Sequence, residues 1–263
     1  MEKRIIAVVT GMQHSGTTYL NNLLNSHSQV MSGFECGILL GNINEYHKIK
    51  PFSDWLTNDC SYFGLPNNYL NEIKNKNYKQ VYEYIHKNKG SKNNSNIQKL
   101  IKHSKYFTDK TPAYIYNIEN INNKIFNLDI PIIITLKKYD EIYYSWVVKR
   151  NIGFNAFIKN LRQCTNSLRY IMKNKPKNIY LFEYNDYIQN KESYNKFFMD
   201  IILKHNKGIN IEKLSEEKYN IKINNKNNVY SKDNKLKNNN FPKIEDELKN
   251  IYINLINKLK IKL

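Results

Sequence analysis

The chain has 263 residues, enough to bury a substantial core in one large α/β domain or two small ones. Its 41 Lys and Arg against 23 Asp and Glu give a formal charge of +18, which favours anionic partners such as nucleotides, acidic glycans, nucleic acid or an anionic membrane, although solvated Lys- and Asn-rich surface produces the same total. Three distant cysteines, Cys36, Cys60 and Cys164, without a C-x-x-C pair, exclude a disulfide framework and a cysteine zinc site and suit a reducing compartment.

The first element is "RIIAVVTG", a β-branched apolar run ended by glycine. It predicts a strand buried on both faces, as in a parallel sheet. At six residues, "IIAVVT" is too short for a signal-peptide core or a membrane span, and no later run reaches membrane length. The expectation is a soluble cytoplasmic protein. "GTTYLNNLLNSH" follows, with Leu20, Leu23 and Leu24 on one helical stripe. "QVMSGFECG" predicts a second strand ending near Gly33.

Residues from about 42 to 105 are aromatic-rich and contain a helical pattern at "YKQVYEYIHK", then a polar loop at Lys87–Asn96. This region is expected either to shape an acceptor site or to be ordinary helical packing. In "YFTDKTPAY", Pro112 interrupts regular structure. "DIPIIITL" predicts a buried strand. "YDEIYYSWVVKR" predicts a helix whose acids lie at its start and whose bases lie at its end, as the helix dipole favours. "NIYLFEY" predicts another strand, and "KIEDELKNIYINLINKLKIKL" a closing amphipathic helix preceded by Pro242. Residues from about 218 to 240 read as a long Asn/Lys-rich loop. Strands alternating with helices give the expected class: a single α/β domain over 1–263, with a central parallel sheet flanked by helices, like the P-loop NTPases.

The loop "TGMQHSGTTYL" sits between strand and helix, where a phosphate loop belongs. Gly11 and Gly16 have P-loop spacing, but Thr17 stands where G-x-x-x-x-G-K-[ST] requires lysine. The strand "IPIIITL" runs into Lys137 and Lys138 instead of a magnesium-binding aspartate. Backbone N–H groups and the hydroxyls of Ser15, Thr17 and Thr18 remain, a cradle for a 5′-phosphate at a helix N-terminus.

These features resemble the sulfotransferases that use 3′-phosphoadenosine-5′-phosphosulfate (PAPS). "GMQHSGTTYL" is similar to that family's G-x-x-[KR]-S-G-T-[ST]-x-L, with His14 at the cationic position. "LKKYDEIYYS" is similar to its R-[DN]-P-x-[DE]-x-x-x-S, with Lys137 at the arginine, Tyr139 at the proline and Ser145 at the serine. "DKTPAY", "LFEYNDYI" and the C-terminal "FPKIEDELKNIY" resemble further segments in the family's order, so the likeness spans most of the chain outside about 42–100.

The resemblance implies PAPS as donor, no metal, and a hydroxyl acceptor, less readily an amine, on a carbohydrate, an acidic or lipid-linked glycan, a glycolipid or a small metabolite. It implies donor contacts from Gln13, His14, Ser15, Gly16, Thr17, Thr18, Lys137, Ser145 and Tyr184. It implies His14 and Lys110 as catalytic groups and Glu35 as the base, or a carboxylate held by a neighbouring cation; Asp109 is the next candidate. His27 is expected to pack the end of the first helix. Two other readings stand beside this one: a nucleotide kinase with an atypical loop, and a basic nucleic-acid-binding module, which no recognised motif supports.

Overall fold

The computed structural model describes residues 5–27, 29–58, 63–207 and 243–260. Its centre is a four-stranded parallel sheet in the order β2-β1-β3-β4. Strand β1 (Ile5–Gly11) is flanked by β2 (Phe107–Lys110) and β3 (Ile132–Leu136), and β4 (Ile179–Glu183) closes the other edge. In register, Val9 lies opposite Lys110, Gly11 opposite Thr135, and Leu136 opposite Glu183.

Helices cover both faces, and the strand residues divide accordingly. Val8, Ile132, Ile134 and Leu181 enter one core; Ala7, Val9, Ile133 and Phe182 enter the other. This explains the unbroken apolar runs in the sequence: every residue of β1 and β3 is buried, whichever way it points. Helix α1 (Thr17–Leu24) buries Leu20, Leu23 and Leu24 against the second core, each worth about 1.5–3 kcal/mol relative to exposure.

After α1 come the short helices α2 (Phe52–Trp55) and α3 (Tyr69–Ile73), then α4 (Tyr78–Asn88) and α5 (Asn96–His103). The expected helix at "YKQVYEYIHK" is α4, started by a capping box of Asn77 and Gln80. Helix α6 (Ile118–Ile125) leads into β3. Beyond β3 lie α7 (Tyr139–Tyr143) and the long α8 (Phe154–Asn174). Helices α9 (Tyr184–Gln189) and α10 (Lys191–His205) follow β4, and α11 (Lys243–Leu259) packs on α8. No helix among the described residues is long and apolar enough to cross a membrane.

Three expectations change. "QVMSGFECG" forms no strand; it meets the sheet at one bridge, Val30 to Tyr106. Beyond it the Ser32 hydroxyl takes over the ladder: the Thr108 N–H donates to it at 2.6 Å and it donates to the Thr108 carbonyl at 2.8 Å. The strand on that side is β2, whose Thr108, Asp109 and Lys110 are too polar to read as a buried run, although all are buried. The helix at "YDEIYYSWVVKR" keeps α geometry only to Tyr143, then widens to a π turn over Tyr144–Val148. Cys36 and Cys164 are free and buried. Cys60, Pro242 and the stretch 218–240 lie outside the described residues.

Candidate active site

In an open parallel sheet, ligands bind beyond the carboxyl ends of the strands where the winding reverses. Here the chain leaves β1 toward β2 and leaves β3 toward β4, so the reversal lies between β1 and β3. A cleft of about 320 Å³ opens there, lined by His14, Gly16, Thr17, Thr18, Lys137, Ser145, Lys149, Arg150 and Tyr184.

The loop after β1 is shaped by two glycines. Gly11 has φ +152°, and a Cβ there would lie 2.3 Å from the Thr135 carbonyl oxygen. Gly16 has φ +103°, and a Cβ there would lie 2.6 Å from the Tyr184 ring. Gly16 is also the N-cap of α1, and no side chain caps that end, so the helix presents its positive terminus to the cleft. The loop is pinned from below. The Ser15 hydroxyl bonds to Thr135 Oγ1 at 2.8 Å, and the Trp146 indole N–H donates to the Gln13 carbonyl at 2.8 Å.

The opposite wall comes from the segment after β3. Lys137 reaches Glu141 at 3.6 Å, and its ammonium lies 5.5 Å from the centre of the Tyr184 ring. Tyr252 of α11 donates to the Lys137 carbonyl at 3.0 Å, fixing that turn. The π turn then sets Ser145, Lys149 and Arg150 along the same cleft: the Lys149 N–H donates to the Tyr144 carbonyl, five residues back, at 2.8 Å. Single π turns inside α-helices recur at functional sites.

On the other side of β1, at the end of β2, Lys110 Nζ meets Glu35 Oε1 at 3.0 Å. The Lys110 side chain is only 2% exposed, whereas Glu35 is 14% exposed and so in reach of solvent. The ammonium also sits 4.2 Å from the centre of the Phe34 ring. Burial lowers the Lys110 pKa, and the Glu35 carboxylate opposes that shift.

Residues 7–126 match the model of a family described as the sulfotransferase family. That match spans just under half of the chain. The stretch matched holds the glycine loop and the Lys110–Thr111–Pro112 segment; Lys137 and Ser145 lie beyond it. No curated protein matches the sequence. Among solved structures, the sulfotransferase domain from the Synechococcus PCC 7002 olefin synthase is 14% identical, with a TM-score of 0.58 over 100% of this chain and 96% of that one. The sulfotransferase domain from the curacin biosynthetic pathway is 13% identical, with a TM-score of 0.51 over 100% of both chains. At such identities the likeness is one of fold.

The cleft brings together His14, Gly16, Thr17, Thr18, Lys137, Ser145 and Tyr184 of the expected donor contacts. Gln13 and Ser15 do not line the cleft. The Ser15 side chain is fully buried on Thr135 and its N–H donates to the Met12 carbonyl at 3.0 Å, so it braces the loop. Of the expected catalytic groups, Glu35 and Lys110 meet, while His14 faces the cleft. Asp109 is sealed in the interior among Tyr82, Tyr114 and Thr111, which removes it as an alternative base for an acceptor. His27 is buried just past α1, its Nδ1 accepting the Gln29 N–H at 3.1 Å, in keeping with the packing role expected of it.

Arg150 is the cleft residue that sequence reasoning missed. Its signal, a Lys-Arg pair closing "YDEIYYSWVVKR", read as an ordinary response to the helix dipole. It also changes the meaning of His14. Burial, then Arg150, Lys137 and Lys149, hold the His14 pKa below its ordinary 6.5, which favours the neutral ring. A bound phosphate dianion reverses the sign of the local field. The His14 resonance should therefore titrate below pH 6.5 in the free protein and move upward when adenosine 3′,5′-bisphosphate is added. An NMR titration of the assigned ring protons reads both, and a downward or absent shift on binding contradicts the placement of an anion beside it.

Proposed function

We propose that the protein transfers a sulfuryl group from PAPS to a hydroxyl acceptor on a carbohydrate, glycolipid or small metabolite, less readily to an amine. The observation that carries this is the pairing of an uncapped helix start with Lys137, Ser145, Lys149 and Arg150 across one cleft. A nucleotide with phosphates at both 5′ and 3′ positions uses both walls. Thr17 and Thr18 at the helix start receive the 5′-phosphosulfate. Lys137, Ser145 and the basic end of the π turn receive the 3′-phosphate. Tyr184, over Gly16 and beside Lys137, closes one side.

The reaction is written as in-line substitution at sulfur. The acceptor oxygen forms the new S–O bond, and the bond from sulfur to the 5′-phosphate oxygen breaks. The electron pair leaves on the bisphosphate, and the acceptor proton passes to the Glu35 carboxylate. Lys110 orients Glu35 and sets positive charge beside the loop where charge builds on the departing oxygen. His14 donates a hydrogen bond into the cleft. This donor set of N–H groups, hydroxyls and cations suits an anion. It lacks the loop lysine and strand-end aspartate of magnesium-dependent phosphoryl transfer, and transfer is proposed to proceed without metal.

The test is ligand-induced stabilisation in EDTA. Adenosine 3′,5′-bisphosphate at 100 times its Kd should stabilise the fold by about 2.7 kcal/mol, seen as a raised Tm. AMP at the same concentration should do far less, because it lacks the 3′-phosphate. Equal shifts with both, or a shift that needs magnesium, would reject this reading in favour of a kinase-like one.

A further inference from the structure

The carboxylate of Asp109 touches no part of the cleft, yet three hydroxyls donate to it. It is 0% exposed. Tyr82 from α4 and Tyr114 both donate to its Oδ2 at 2.8 Å, and the Thr111 hydroxyl donates to its Oδ1 at 3.2 Å.

Two of those hydroxyls are themselves receiving protons. The Gly37 N–H donates to Thr111 Oγ1 at 3.0 Å, and the Leu39 N–H donates to the Tyr114 hydroxyl at 3.2 Å. Each hydroxyl can therefore spend its own hydrogen only outward, and in both cases it points at Asp109. The result is two relays, backbone N–H to hydroxyl to carboxylate, that start two and four residues after Glu35 and converge on one buried acid. Tyr46 completes the hold by donating to the Cys36 carbonyl. Hydrogen bonds in such a chain polarise one another, and the low dielectric raises the stakes of leaving any member unpaired.

We propose that Asp109 is a positioning residue for the transfer reaction, fixing through Thr111 and Tyr114 the loop that sets Glu35 against Lys110. This rests on the reading of Glu35 and Lys110 as the acceptor-side groups. The chain turns the strand's polar residues to two uses: Lys110 meets the base, and its neighbour Asp109 holds the backbone that delivers that base. The region from α2 to α5 joins this network through Tyr82, which ties α4 to the reaction machinery.

The charges agree with the geometry. Burial pushes the Asp109 carboxyl up, and the Cys36 thiol, Tyr82, Tyr114 and Thr111 pull it back by hydrogen bonding. A network built of donors fits the ionised acid, which only accepts. The groups that face Lys110 are Glu35, Asp109 and Cys36, together with the Phe34 ring; Glu35 and Asp109 each raise the Lys110 pKa against the effect of burial. Removing the Asp109 charge should therefore lower the pH at which Lys110 loses its proton.

The experiment uses the full chain and two variants. In Asp109→Asn, the labelled Lys110 side-chain resonance should titrate at lower pH than in the wild type. The alkaline limb of kcat should move the same way, with bisphosphate affinity within about twofold. In Thr111→Val, which cuts one relay and keeps the acid, Lys110 should titrate as in the wild type while kcat falls roughly tenfold to hundredfold, the scale of a small misplacement of reacting groups. A purely structural Asp109 would lower Tm in Asp109→Asn and leave kcat per folded molecule unchanged in both variants, and that result overturns the proposal. If Asp109→Asn does not fold, Thr111→Val decides: unchanged kcat overturns it. The Lys110 titration needs no substrate. Absence of bisphosphate binding would thus defeat the proposed function while leaving this network's test readable.

Discussion

Glu35→Gln should lower single-turnover transfer by on the order of 10²–10⁴, the usual worth of a positioned base, while bisphosphate affinity stays within a few-fold. The amide keeps the size of the side chain and can still accept a hydrogen bond from Lys110 Nζ, now 3.0 Å from the carboxylate. It cannot take the acceptor's proton. The separation of the two effects follows from place. Glu35 meets its partner at the end of β2, whereas the donor cleft opens between β1 and β3. The ion pair also supplies the competing explanation, because a 2% exposed ammonium left without a counter-charge is costly. If Glu35 serves only to neutralise Lys110, the variant should lose stability and Lys110 should titrate lower, with the rate falling no further than the folded fraction does. A variant that folds, binds the bisphosphate and turns over normally removes Glu35 from the mechanism. Asp109 cannot then replace it, since no acceptor reaches a carboxylate enclosed by Tyr82, Tyr114 and Thr111.

What was legible in the sequence follows the physics of each segment. β1 and β3 are apolar at every position because both faces of the sheet are covered, and such runs announce themselves. The glycine loop was legible because Gly11 and Gly16 answer backbone demands that other residues meet only with strain. β2 was hidden because three of its four residues are polar and are satisfied by partners distant in sequence: Ser32 for Thr108, Tyr82 for Asp109 and Glu35 for Lys110. No local pattern encodes those pairings. The expected strand at "QVMSGFECG" failed for the same reason, since Ser32 replaced backbone pairing with a side-chain bond. In the site, the resemblance of "LKKYDEIYYS" to a family motif pointed to Lys137 and Ser145, and both line one cleft. Arg150 needed the π turn, whose extra residue changes which side chains share a face, and "YYSWVVKR" gives no warning of it.

Charge reversal at Lys137 should be the most damaging single change to donor binding. A charge-assisted hydrogen bond to phosphate is worth ~1.5–3 kcal/mol, and each 1.4 kcal/mol is tenfold, so Lys137→Met should weaken the bisphosphate roughly tenfold to a hundredfold. Lys137→Glu goes further. It sets a second carboxylate beside Glu141, which now pairs with Lys137 at 3.6 Å and also accepts from Asn185 at 2.7 Å, and both acids then face the 3′-phosphate. The loss should reach the order of 10³. AMP should lose much less in either variant, because the 5′-phosphate is assigned to the start of α1 on the opposite wall. The same reversal changes His14, whose depressed pKa owes part of its shift to Lys137: with the cation gone and an anion in its place, the ring should titrate higher in the ligand-free protein. Calorimetry with both nucleotides and an NMR titration of His14 measure the three effects separately. Equal losses for the bisphosphate and AMP, with the His14 shift present, would place Lys137 at the 5′ end of the donor and leave the 3′-phosphate to Lys149 and Arg150.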